Sequence, residues 1–133
     1  MYFSYYLGQR VVYARGEGRE GLIIKSMIEQ HNYVLPLRGG IDIPSKPPMF
    51  HWLLVLTYKI SGHLDGFSLR FPSAFASSAT ILLAFIFTNL YYNMNVSVLT
   101  VLILSSALEF SRNASNARVD MCFTFFLSGA TFC

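Results

Sequence analysis

Charged residues are scarce in this sequence. Only 13% of its 133 residues are Asp, Glu, Lys or Arg, against about a quarter in an ordinary soluble domain. That is too few to cover a soluble surface. The shortage is sharpest between Phe71 and Leu108, where 38 consecutive residues include no Asp, Glu, Lys, Arg or His. Basic runs are missing as well. The net charge of +3 is spread over isolated Lys and Arg, which excludes the clustered positive footprint of a nucleic-acid binder. Cysteine is limited to Cys122 and Cys133, both in the last apolar segment. Their spacing matches no metal or redox motif, and they read as buried free thiols. Residues 1–9 are aromatic-rich, but Arg10 interrupts them before an apolar core can form, so no secretory signal peptide is expected.

What the chain does have is apolar length. Hydrophobic residues make up 53% and aromatics 16%. A bilayer-spanning helix needs about 20 apolar residues, so the uncharged run predicts two short spans with a turn at Asn93-Met94-Asn95. The first follows Arg70, reads FPSAFASSATILLAFIFTNLYY and closes on the interfacial pair Tyr91-Tyr92. The second covers approximately Val96–Phe110. A third begins near Arg118, and its thirteen-residue stretch MCFTFFLSGATFC rises only about 20 Å as a helix. The expectation is therefore a piece of a larger membrane protein, cut at both ends. Ala74, Ala76, Ser77 and Ser78 are small enough to let helices pack closely in a bundle.

Thirteen of the 17 charges lie between Arg10 and Arg70. Residues 1–70 read as an extramembrane loop with juxtamembrane helices, and 71–133 as the transmembrane part. Within the loop, residues 16–31 predict an amphipathic surface helix. Leu22, Ile24, Met27 and Ile28 fall near one face, and Glu20, Lys25 and Glu29 elsewhere. Glu20 is expected to face solvent. Residues 32–48 are too densely punctuated by Pro and Gly for a helix. A short helix then runs from about Pro47 to Gly62, with Trp52, Tyr58 and Lys59 suited to the membrane interface. Two spans separate residues 10–70 from the loop 111–120, so both lie on one side of the membrane. The positive-inside rule alone leans toward that side being cytoplasmic.

The stretch DIPSKPPMFHW (42–52) places a lysine before two prolines at the mouth of an aromatic run. Proline suits the first position of a helix, and the residue before it is held extended. Lys46 would thus add a full charge beside free N–H groups and the positive end of a helix dipole. That is a site for an anion, and at a membrane the candidate is a lipid phosphate. A snorkelling lysine that anchors the helix end is the equal alternative. Glu17 opens the surface helix, and Asp120 stands where the third span enters the membrane. Ionisable residues at such a boundary are functional candidates, although Asp120 could equally cap its helix. Arg19 and Arg118 could hold a phosphate through a fork of N–H groups or simply meet lipid headgroups.

Taken in order, an acidic residue in the first loop, KPP with an aromatic-rich tail, LRFPSA and ARVDM form a pattern. Over residues 16–133 it resembles the polytopic glycosyltransferases that use polyprenyl-phosphate sugars, among them the protein O-mannosyltransferases and the lipid A aminoarabinose transferases. The resemblance implies an all-α, integral membrane, multi-span bundle of the C-type glycosyltransferase kind, with surface helices on the external or periplasmic face of a bacterial inner membrane. It implies a polyprenyl-phosphate-linked sugar donor and a lipid or protein acceptor. Lys46 takes the place of the lysine that contacts the donor phosphate. Glu17 and Asp120 take the places of the catalytic acids. Gly16 stands where the family often has Asp, and Ser45 where many relatives carry a carboxylate before KPP. A divalent metal is the one cofactor the pattern leaves open, and no metal-ligand set is assigned. The alternatives are a non-enzymatic membrane subunit, or a transporter fragment with Thr80, Thr88 and Asn89 along a path.

Overall fold

The computed structural model describes residues 15–34, 37 and 48–132, and all regular structure among them is helical. The helices are α1 Arg15–Gln30, α2 Met49–Ser61, α3 Gly66–Tyr91, α4 Met94–Ser106, α5 Leu108–Ala114 and α6 Val119–Phe132. They fall into two compact units, Met1–Pro72 and Ser73–Cys133.

In the first unit α1 packs against α2. Its buried positions are Glu17, Glu20, Ile23, Ile24, Ser26 and Met27, which repeat at helical spacing along one stripe. Two expectations fail here. Leu22 is 54% exposed, and Glu20 is buried instead of facing solvent. The inner stripe runs through 17, 20, 24 and 27, so the two acids share the face of Ile24 and Met27. Helix α2 answers with Phe50, His51, Leu54 and Val55, and Leu69 completes the core. Each fully buried aliphatic or aromatic side chain contributes about 1.5–3 kcal/mol.

The ends of α2 follow from local chemistry. Pro48 lies at the boundary with φ −71° and ψ −14°, and its carbonyl accepts the Trp52 N–H at 3.0 Å. The helix therefore starts at Met49, and Pro47 lies outside the described residues. Gly62 ends it in the left-handed region at φ 74°, with its N–H on the Tyr58 carbonyl. A β-carbon would strain that backbone.

Helix α3 starts at Gly66, earlier than the expected Phe71. The reason is a reciprocal cap: Asp65 Oδ1 accepts the Ser68 N–H at 2.9 Å, and Ser68 Oγ accepts the Asp65 N–H at 3.0 Å. These bonds satisfy two N–H groups the helix start would otherwise strand. The 26 residues of α3 rise about 39 Å, enough to cross a bilayer.

In the second unit Asn93 caps α4, its Oδ1 accepting the Val96 N–H at 3.1 Å. The polar turn at Asn93 is thus where the pattern put it. The second span is not one helix. It breaks at Ala107, whose φ −63° and ψ 118° are extended, and α4 and α5 meet at 70°. Hydroxyls compensate at the break: Ser105 and Ser106 donate to Leu102 and Ile103 carbonyls, and Ser111 donates to the Ser105 carbonyl. Ser73, Ala74, Ala76, Ser77 and Thr80 are buried, and Phe87 of α3 stacks on Phe132 of α6 at 4.2 Å. Thr80 and Thr88 donate to carbonyls of Ala76 and Ala84, one turn back in their own helix, which spends their donors locally.

Candidate active site

Glu17 and Glu20 stand one turn apart on the buried face of α1, and each meets a cationic or imidazole partner from another helix. Arg70 donates to Glu17 through Nε at 2.9 Å and Nη2 at 2.8 Å. Both side chains are 3–4% exposed. This two-point fork suits the flat guanidinium and cannot be reproduced by lysine. It fixes the direction of the Glu17 carboxylate. His51 Nε2 lies 2.7 Å from Glu20 Oε2, both buried. With a carboxylate as acceptor, the ring proton is assigned to Nε2. Among the described residues, His51 Nδ1 and the hydroxyl of Ser26 are buried without a hydrogen-bond partner.

The other acid stands differently. Asp120 opens α6 with its side chain 60% exposed, and Arg118 Nη1 lies 3.7 Å from its Oδ2. An exposed pair at that distance is worth little to stability, so both groups are available to a ligand. The backbone beneath them is fixed. Ser73 Oγ donates to the Arg118 carbonyl at 2.9 Å and accepts the Arg118 N–H at 3.0 Å. Arg19 is exposed on the outer side of α1.

The structure thus pairs Glu17 with Arg70 and Arg118 with Asp120. Lys46, the candidate phosphate ligand, lies outside the described residues, as does Ser45. Among the described residues no three His, Cys, Asp or Glu side chains come together as a metal site. A groove of about 360 Å³ opens between Tyr33, Trp52, Val55, Leu56 and Lys59. There the Trp52 Nε1–H donates to the Tyr33 carbonyl at 2.7 Å.

Arg70, the Glu20–His51 pair and Ser73 are absent from the sequence-based site. Arg70 had left a signal: it is the last charge before 38 uncharged residues, and a lone arginine at a membrane boundary needs a partner. Ser73 had left none, because a backbone-binding serine looks like any other small residue in a span.

The long apolar helix α3 and the bent pair α4–α5 are those of an all-α integral membrane protein, with the Glu17–Arg70 fork in its first unit and the Arg118–Asp120 pair in its second. Residues 45–133 match the family described as dolichyl-phosphate-mannose-protein mannosyltransferase, and the chain belongs to that family. It is 32% identical over 129 residues to an uncharacterized protein of Aquifex aeolicus (strain VF5), covering 96% of this chain and 26% of that protein. It is 25% identical over 124 residues to the undecaprenyl phosphate-alpha-4-amino-4-deoxy-L-arabinose arabinosyl transferase of Shewanella sediminis (strain HAW-EB3), covering 93% of this chain and 22% of that protein. The crystal structure of ArnT from Cupriavidus metallidurans in the apo state superposes with a TM-score of 0.90 at 22% identity, over 98% of this chain and 24% of that one. The fold is therefore that of an integral membrane C-type glycosyltransferase, and the chain spans about a quarter of the length of these relatives.

Proposed function

We propose that the protein transfers a sugar from a polyprenyl-phosphate donor to a hydroxyl of a lipid or protein acceptor. The observation that carries this reading is the family match over residues 45–133. The names of the family and of the Shewanella relative share one chemistry, a sugar held on a polyprenyl phosphate. The site supports it with fixed acids and exposed cations.

In this reading the phosphate is already a good leaving group and needs little acid catalysis. Lys46 and the N-terminal end of α2 stabilise the charge that builds on it, with Arg19 and Arg118 as further phosphate contacts. Glu17 accepts the proton of the attacking hydroxyl. The Arg70 fork fixes its direction and weakens it as a base, so the hydroxyl must be positioned closely. Asp120 orients the acceptor. A single displacement inverts the configuration at the sugar carbon. Residues 10–70 then face the periplasm or exterior of a bacterial inner membrane.

The test is transfer by the full-length protein in membranes supplied with a polyprenyl-phosphate sugar. Lys46→Ala should abolish transfer while leaving membrane insertion intact, and Glu17→Gln should lower kcat by at least about 100-fold. Near-normal transfer by the Lys46 variant would remove the phosphate role.

A further inference from the structure

We infer that Ser73 is a positioning residue for Arg118 and Asp120, acting through the backbone at the entrance to α6. The inference rests on the function proposed above. It starts from an asymmetry. The side chains of Arg118 and Asp120 are 54% and 60% exposed, so packing does not hold them. The backbone of Arg118, by contrast, is gripped. Ser73, itself 0% exposed, gives its hydroxyl proton to the Arg118 carbonyl at 2.9 Å and takes the Arg118 N–H at 3.0 Å.

A serine hydroxyl has one donor and two acceptor positions, and here it serves both polar groups of a single residue. Arg118 precedes the first residue of α6, Val119. Two bonds to one peptide segment restrict both its distance from α3 and its rotation. The direction in which α6 leaves, and so the point from which Asp120 projects, is set by a side chain 45 residues earlier. Ser73 follows Pro72 within α3. Downstream, the Thr124 hydroxyl donates to the Asp120 carbonyl at 2.8 Å, a contact within α6 that cannot replace the one to α3. Ala114 and Ala117, just before Arg118 in sequence, are buried at 0% and 4%, so the turn into α6 is packed.

A group that positions a phosphate-binding arginine and an acceptor-orienting acid should affect binding of substrate more than folding. Ser73→Ala removes the hydroxyl and little volume. In the full-length protein, with transfer from a polyprenyl-phosphate sugar as the readout, we expect this variant to insert and accumulate like wild type. Its kcat/KM should fall about 10- to 100-fold, mostly through a raised donor KM. Ser73→Thr, which keeps the hydroxyl, should recover much of that loss. In an Arg118→Ala background, Ser73→Ala should add less than a twofold further loss, because the group it positions is gone. Donor KM within twofold of wild type in Ser73→Ala overturns the positioning role, as do losses that simply multiply in the double variant. Absence of transfer by the wild-type protein at saturating donor overturns the proposed function itself, and the positioning role with it.

Discussion

Arg70 grips Glu17 across 53 residues of sequence, with Nε at 2.9 Å and Nη2 at 2.8 Å from the two carboxylate oxygens. Both side chains are almost wholly removed from solvent. The contact ties the start of α1 to the first turns of α3 and brings the only charge in LRFPSA to the candidate base.

Removing one partner should cost far more than removing both. Arg70→Ala takes the guanidinium from a buried carboxylate, at about 3–5 kcal/mol, whereas joint replacement of Glu17 and Arg70 by leucine should cost less than that single change. Reversible unfolding of the purified full-length protein in detergent measures both. Arg70→Lys should rank between wild type and Arg70→Ala, because an ammonium cannot make the fork. Equal losses in the single and double variants would mean the pair is not the buried unit described.

The Glu20–His51 pair should behave as a coupled unit. Glu20→Leu strands the imidazole and should destabilise by about 1–3 kcal/mol, with His51→Leu similar. The double variant should recover most of that loss, giving a coupling energy of at least about 0.5 kcal/mol. Additive losses in the same unfolding assay would show that the two side chains act independently.

Asp65 and Ser68 together determine where α3 begins. Asp65→Ala should cost about 1 kcal/mol and fray the first turn. Amide exchange at Phe67 and Ser68 should rise before exchange farther along the helix. Unchanged protection at these amides would mean that packing of Leu69 alone holds the turn.

Leu54, 1% exposed in the core between α1 and α2, is the plain packing test. Leu54→Ala should destabilise by about 2–5 kcal/mol. The exposed Leu56, two residues on and on the opposite side of the helix, should tolerate alanine with less than about 0.5 kcal/mol lost.

Much of this architecture was already legible in the chain. Thirty-eight uncharged residues cannot cover a soluble surface and must lie in apolar surroundings, so the membrane class follows from composition. The turn at Asn93 follows from a side chain that caps a helix within three residues. Gly62 ends α2 because glycine adopts a left-handed backbone at little cost. Each of these depends on the bilayer or on neighbours a few residues away.

Partnership across helices was decided elsewhere. Glu20 read as a solvent-facing charge because helical spacing says which residues share a face, not what stands opposite. His51 stands opposite, 31 residues on, and makes burial of the acid affordable. The break at Ala107 was hidden in a continuous apolar run, since a bent span needs the same hydropathy as a straight one. Ser73 was invisible as a site residue because its partner is a backbone peptide, which has no signature in sequence. Composition and local propensity set the class, the membrane and the helix ends. Tertiary packing set the pairs, because a buried charge or hydroxyl takes its meaning from the group the fold brings within 3 Å of it.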